Sequence, residues 1–304
     1  MKSKVTRAGV TARPLLQHPP LAWRVRPRLD ALAPVIVGRN LKRRREAEAF
    51  LLSFPKTGRT WLRVMLAQLL AVHYGRPEVA NRAALPRIDA GPGAPRIVVR
   101  HDGNPHKCTA PEIVGHRREY AGCRVMLLVR DPRDAIVSNY FQVTRRDHWF
   151  EGDIASYLRW PRGSLDSMLR YYDIWAHERH VPSAFLLLRY EELRRDTVAA
   201  LGVIAEFLGL RNVEPATLGA VVEHSSFDAM RRREAGRAAD GSPFAPGSSA
   251  DPESFKARKG QVGGYREYLS AADVDWLNAQ IDAGLDPYYG YHTARTRAAH
   301  DLSR

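Results

Sequence analysis

The chain has 304 residues, 44% hydrophobic and 26% charged, the balance of an ordinary globular protein with room for a sizeable core. No apolar run approaches the roughly 18 to 20 residues of a membrane span, and the opening "MKSKVTRAGVTARPLLQHPPLAW" is too broken by prolines and charges for a secretory leader. The net charge is +14, but residues 1–46 hold twelve Lys/Arg against Asp30 and Glu46, so the other 258 residues carry only +4.

The first expected element is therefore a basic arm, 1–46, densest at "KRRRE" (Lys42–Glu46) and interrupted by Pro19, Pro20, Pro27 and Pro34. Such a run reads as a solvated face before it reads as a nucleic-acid site. From Ala49 the pattern becomes regular. Strand-like runs at Phe50–Phe54, Ile97–Val99, Val125–Val129 and Phe185–Leu188 alternate with helix-period segments at Trp61–His73, Ala135–Thr144, Leu165–His177 and Thr197–Leu208. This alternation predicts an α/β fold with a P-loop-like parallel sheet flanked by helices on both faces. Leu62, Met65, Leu66, Leu69 and Leu70 fall on one helical stripe and should face the core. Glu234–Ser254 is rich in Gly, Pro, Ser and Ala and is expected to be an irregular, mobile loop. Beyond Gly264 the chain turns helical again, with Ser270 to Asp273 as a capping box. Cys108 and Cys123 fit neither a metal-ligand spacing nor a disulfide framework, so a reducing cytoplasm is expected.

The chemistry begins at "FLLSFPKTGRTWLRVMLAQLL", Phe50–Leu70. Strand, tight turn and helix N-terminus make an anion site, because free N–H groups and the positive end of the helix dipole point at the turn. Gly58 lets the backbone come close, Lys56 adds a mobile charge, and Thr57 and Thr60 offer hydroxyls. The Walker A spelling G-x-x-x-x-G-K-[ST] fails, since Ser53 stands five residues before Gly58 and Arg59 follows it. "FPKTGRTWLR", Phe54–Arg63, resembles the 5′-phosphosulfate-binding motif of the sulfotransferases that use PAPS, 3′-phosphoadenosine 5′-phosphosulfate. The resemblance implies that residues 56–60 hold the donor's 5′ end and that Trp61 stacks on its adenine.

Further along, "VMLLVRDPRDAIVSNYFQ", Val125–Gln142, is again strand, turn and helix, with Asp131 a good N-cap and Pro132 at N1. Arg130 lies at the strand's C-terminal end, where open α/β sheets bind ligands. By resemblance to the family, Arg130 and Ser138 hold the 3′-phosphate, and Ser138 also hydrogen-bonds Lys56 at rest. "FKARKGQVGGYREYL", Phe255–Leu269, is similar to the family's R-K-G-x-x-G segment. Arg258, Lys259 and Gly260 are thereby implied to close over the donor, although Gly264, Tyr265 and Arg266 replace the usual acidic residue, Trp and Lys. "FLLLRYEELRR" and "HSSFDAMRR" are weaker likenesses; they imply Tyr190, Ser226 and Phe227 beside the base.

Transfer to a hydroxyl requires a group that takes its proton, and neutral His is the natural one. His101, after a strand-like run, is the candidate, with His106 and Asp102 as competitors. The family carries its His in a K-T-H context, so Arg100 is a candidate substitute for the lost lysine. The expected organisation is a sulfotransferase domain at 47–292 between the arm and a tail at 293–304. It would use PAPS and no metal, act on a small hydroxyl acceptor (an alcohol, a phenol or a sugar), and bind no specific nucleic acid. A nucleotide kinase and a nonenzymatic nucleic-acid binder are the alternatives.

Overall fold

The computed structural model describes residues 47–82, 85–236, 248, 251–294 and 296. The basic arm, nearly all of the C-terminal tail and most of the loop expected at 234–254 lie outside them. Five strands run in the order β2-β3-β1-β4-β5: β1 (Ala49–Ser53), β2 (Arg87–Ile88), β3 (Ile97–Arg100), β4 (Arg124–Val129) and β5 (Ala184–Arg189). β1 pairs in parallel with β3 and β4, and β4 with β5. β2 is antiparallel to β3, so the wholly parallel sheet expected from the sequence is corrected to a mixed one. The reason is size: two residues beside Pro86 are too few for any periodic signal.

Helices cover both faces. They are α1 (Arg59–His73), α2 (Pro132–Arg145), α3 (Ile154–Leu158), α4 (Leu165–Glu178), α5 (Tyr190–Arg195), α6 (Thr197–Phe207), α7 (Pro215–His224), α8 (Phe227–Ala235) and α9 (Ala271–Gly284). Side chains alternate across a strand, and this alternation divides the core. Leu51, Met126 and Leu128 join Leu62, Met65, Leu66 and Leu69 of α1 and Leu201 and Ile204 of α6 on one face. Phe50, Leu52, Val125, Leu127 and Val129 join Ile136 of α2, Met168 and Trp175 of α4 and Leu277 of α9 on the other. All five residues of β1 are buried, as a central strand covered twice must be. The expected stripe on α1 is wholly buried, and each such Leu or Met contributes about 1.5–3 kcal/mol by leaving water.

The caps follow the sequence in two places. Asp131 accepts from the Arg133 N–H at 2.9 Å at the start of α2, and Ser270 accepts from the Asp273 N–H at 3.1 Å at the start of α9; the Asp273 carboxylate accepts from the Ser270 hydroxyl at 2.7 Å, so only the first half of the expected box forms. Among the described residues, no helix is long and apolar enough to cross a membrane.

Candidate functional site

At the C-terminal edge of the sheet, a cavity of about 260 Å³ is lined from three directions. Lys56, Gly58, Arg59, Thr60 and Trp61 come from the turn after β1 and the first turn of α1. Arg130, Ser138 and Gln142 come from the end of β4 and from α2, while Lys256, Arg258, Lys259 and Gly260 come from the segment before α9. His101 and His106 close the side beyond β3, and Tyr190 and Phe227 stand at the opposite end.

The first turn has an unusual backbone. Lys56 has φ 67° and Gly58 φ 96°, both left-handed, a conformation that costs a non-glycine residue about 1 kcal/mol or more. At Gly58 a side chain is excluded twice over, since a Cβ there would lie 2.5 Å from Cδ2 of Tyr190. The first intrahelical bond of α1 runs from the Leu62 N–H to the Gly58 carbonyl at 3.1 Å. The N–H groups before it have no helical partner, and no side chain caps them. Here α1 differs from α2, whose N-terminus is closed by Asp131. A helix start left open, a glycine and a nearby lysine together suit an anion.

Lys56 donates to Oε1 of Gln142 at 3.2 Å. Burial first, then the charges of Arg146 and Lys256, lower its pKa from the ordinary lysine value to about 7. The resting partner is thus Gln142, one turn beyond Ser138, and not Ser138 as the family resemblance implied. A four-carbon amine passes a short hydroxyl and finds the longer amide. Thr57 also departs from expectation: its hydroxyl donates to the Phe54 carbonyl at 3.1 Å, which ties the turn together, and its side chain does not line the cavity.

Arg130 connects all three blocks. Its guanidinium donates to the Lys56 carbonyl at 3.3 Å and to the Gln261 carbonyl at 2.8 Å, lies 3.6 Å from Asp134, and sits 4.5 Å above the Tyr190 ring. Asp134 in turn accepts from the Gly263 N–H at 2.7 Å and the Tyr265 N–H at 3.0 Å. At the other end of that segment, buried Glu234 accepts from the N–H groups of Lys256 at 2.5 Å and Ala257 at 3.0 Å. Two carboxylates therefore hold the basic segment over the cavity. Arg258 itself pairs with Glu253 at 2.8 Å and lies 4.5 Å over the Phe141 ring, while Lys259 pairs with exposed Glu267. Gly260 packs under Phe227, where a Cβ would come within 3.0 Å of the ring.

At the adenine end expected from the resemblance, the Trp61 indole donates to the Ser225 carbonyl at 2.8 Å and meets Tyr190 edge-on at 6.1 Å. Phe227 lines the cavity, but Ser226 does not; its hydroxyl caps α8 by accepting from the Ala229 N–H at 3.4 Å.

His101 follows β3. Its Nδ1 lies 2.9 Å from the Ser53 carbonyl and its Nε2 2.6 Å from the Arg59 guanidinium. Burial, then the charges of Arg59 and the neighbouring His106, hold its pKa well below the ordinary value, so the ring is neutral at pH 7. His106 also lines the cavity, and burial followed by the charge of Lys107 lowers it to about 4. Asp102 is removed from contention by its partners. It forms a buried ion pair with Arg117 at 2.9 Å, accepts from the Tyr120 hydroxyl at 2.5 Å, and does not line the cavity. Arg100 points the same way, donating to the Tyr120 hydroxyl and lying 5.2 Å from the Phe50 ring. It therefore does not replace the family's lysine at the cavity. Away from the cavity, Asp173, His177 and Asp286 bring possible ligand atoms within 4.8 Å of one another.

Sequence reasoning missed three residues. Gln142 had no motif to mark it. Lys256, two positions before Arg258, gave no signal beyond the local basic charge; burial and then Arg146 lower it to about 8. Asp134 grips Gly263 and Tyr265, a link that spans too much sequence to read locally.

The family model described as "Sulfotransferase domain" matches residues 46–286. The chain is 25% identical over 296 residues to Cytosolic sulfotransferase 17 of Arabidopsis thaliana, covering 87% of this chain and 80% of that one. It is 27% identical over 206 residues to Sulfotransferase 2A6 of Rattus norvegicus, covering 62% and 68%. In fold it is similar to mouse sulfotransferase SULT7A1 solved with PAP, with TM-score 0.55 and 16% identity over 84% of this chain and 89% of that one. A retinol dehydratase solved with androsterone and the inactive cofactor PAP is also similar, with TM-score 0.53 and 17% identity over 78% and 80%. A match across most of the chain leaves one conclusion: the protein belongs to the sulfotransferase domain family.

Proposed function

We propose that this enzyme moves a sulfuryl group from PAPS to the hydroxyl of a small acceptor, and that the cavity at the sheet edge is where it does so. The observation that supports the reading most is convergence. Lys56, Arg130 and Arg258, from three distant segments, line one cavity with a neutral histidine. In this reading the fold is a P-loop-like variant of the α/β architecture in which the turn at 56–60 cradles the donor's 5′-phosphosulfate without a Walker A sequence. Arg130, Ser138, Arg258, Lys259 and Gly260 take the 3′-phosphate, and Trp61, Tyr190 and Phe227 take the adenine. Thr57 and Ser226 act on these groups indirectly, one by bracing the turn and the other by starting α8. The catalytic domain is 47–292; the basic arm at 1–46 and the tail at 293–304 stand outside it, and the protein works in the cytoplasm.

The chemistry is an in-line displacement. Nε2 of His101 takes the acceptor's hydroxyl proton, and the oxygen's electron pair forms the new bond to sulfur. The bond from sulfur to the bridging phosphate oxygen breaks, and its electrons leave with the 5′-phosphate. Lys56 opposes the charge gathering on that oxygen, the kind of preorganised stabilisation that is usually the largest contribution to rate. Lys56, Arg59, Lys256 and the open start of α1 supply positive potential, so no metal is invoked. Transfer of labelled sulfate from PAPS to a pool of alcohols, phenols and sugars, with identification of the product, tests the reading. No transfer to any acceptor, together with no rise in melting temperature on adding PAP, would overturn it, because a ligand that binds only the native state must stabilise it.

A further inference from the structure

The atom assigned to take the acceptor proton is already engaged. A carbonyl oxygen only accepts and a guanidinium only donates, so the contacts of His101 with Ser53 and Arg59 admit one state. The proton sits on Nδ1 and faces the Ser53 carbonyl, while the Nε2 lone pair accepts from Arg59. The base is in its correct tautomer, and its reactive electron pair is covered.

Arg59 is itself poorly served. Among the described residues it has no carboxylate partner, and the nearby charge of Arg63 opposes its own. Burial lowers its pKa to about 9, still high enough to keep the charge at neutral pH. A desolvated cation whose partner is a neutral ring keeps much of the cost of its burial, because only an opposite charge supplies the attraction that offsets it. The same residue begins α1, whose N-terminus no side chain caps. Arg59 therefore stands between the place where an anion would bind and the base.

We propose that Arg59 is a positioning residue that caps His101 until the donor arrives: the 5′-phosphosulfate draws the guanidinium onto its oxygens and thereby frees Nε2 for the acceptor hydroxyl. This rests on the reading of His101 as the base and of residues 56–60 as the donor turn. In the exchange one hydrogen bond, Arg59 N–H to Nε2, is replaced by another, Arg59 N–H to a donor oxygen, and no proton changes owner. The cap makes catalysis ordered, donor before acceptor. The groups facing His101 act in the same sense. Arg59 from α1, His106 from the turn at Pro105–Lys107 and Lys256 from the basic segment all disfavour a proton on the ring, against the Ser53 carbonyl, which favours one. A bound anion offsets Arg59 and Lys256 together, so the ring gains basicity at the moment its lone pair is released.

The test follows the imidazole nitrogens by NMR in the full chain carrying 15N-labelled histidine, with His101 assigned by the resonance lost in His101→Gln. In the free wild type, Nε2 should resonate as a hydrogen-bond acceptor, and saturating PAPS should move it to the unbonded position while Nδ1 keeps its proton. In Arg59→Met the resonance should begin at the unbonded position and stay there, and Arg59→Lys should restore part of the wild-type behaviour. The acidic limb of kcat/KM for the donor, which reports the free enzyme, should move to higher pH in Arg59→Met, and the donor KM should rise about tenfold or more from the lost charged bond. An Nε2 resonance that ignores PAPS in the wild type, or one that is the same in Arg59→Met as in the free wild type, would overturn the cap. The two readings fail separately. Undiminished turnover in His101→Gln removes the base assignment itself, whereas a dead His101→Gln alongside unshifted Arg59 variants removes only the cap.

Discussion

The two ends of the cavity are built by opposite means. The turn at 53–60 is local: a buried strand delivers it, Gly58 and Lys56 take left-handed conformations, the Thr57 hydroxyl ties it to Phe54, and α1 begins at once. Among the described residues, the basic segment at 256–266 is preceded by a short turn at Pro252–Ser254 and has no long helix at the site. Asp134 of α2 and Glu234 of α8, both buried, hold its backbone N–H groups from outside. An anion cradle can thus come from the backbone itself or from carboxylates that pin a loop by accepting from its backbone N–H groups. The difference predicts different ways to break each end.

The largest effects belong to the local turn and its base. Lys56→Ala and His101→Ala should each lower turnover by about 10²–10⁴-fold, the scale of a lost acid–base or charge-stabilising group, with near-native melting. Labelled-sulfate transfer beside thermal unfolding separates the two. Gly58→Ala comes next. It must adopt φ near 96° and place a methyl 2.5 Å from a Tyr190 ring carbon, so a loss of about 1–3 kcal/mol in denaturant unfolding is expected, with weakened donor binding. A variant as stable and as tight as the wild type would show that the turn tolerates a side chain.

Breaking the remote end should be milder and confined to the donor. Asp134→Asn and Glu234→Gln each weaken charge-assisted bonds to the segment's backbone, and a rise of about tenfold in donor Kd is expected. The kcat at saturating donor should hold, because His101 and Lys56 are untouched. If kcat fell as far as it does in Lys56→Ala, the segment would be part of the chemistry and the contrast would collapse.

The smallest effect is a slope. In the free protein Lys56 has a pKa of about 7, and a bound phosphate must raise it by favouring the charged amine. Below the free value the lysine is protonated both with and without donor, so affinity is flat. Above it, binding must take up a proton, and donor Kd should rise with pH, by at most about tenfold per unit, until the pKa in the complex is passed. Calorimetry with PAP from pH 6 to 9 reads this directly, and Lys56→Met should flatten the curve.

These contrasts explain what the sequence reveals. Four strands were legible as apolar runs, the form a strand takes when both its faces are buried, and the longer helices by their period of 3.6; Asp131 and Ser270 mark helix starts by short-range hydrogen bonding, and Pro132 by its fixed φ and missing N–H. β2 was not, since two residues carry no period. At the site, Lys56, Gly58, Arg130, Ser138 and Arg258 were found by motif and His101 by its place after a strand-like run, and all line the same cavity. Thr57 and Ser226 matched their motifs equally well, yet their hydroxyls are spent on neighbouring backbone. A motif fixes which residue stands at a position; a hydroxyl's direction depends on the nearest acceptor or donor in space.

By itself, then, the sequence determined the order of strands and helices, the turn at Lys56–Thr60 and the chemical character of three basic blocks, because each depends on contacts a few residues apart. Tertiary structure alone decided that Gln142 and not Ser138 receives Lys56, that Arg100 turns away to Tyr120, that Asp134 and Glu234 hold the basic segment, and that Arg59 covers His101. Each of those pairings joins groups separated by twenty to well over a hundred residues. Which charged or polar side chain finds which partner is settled by distance and desolvation in the folded state, and neither is written in the local pattern.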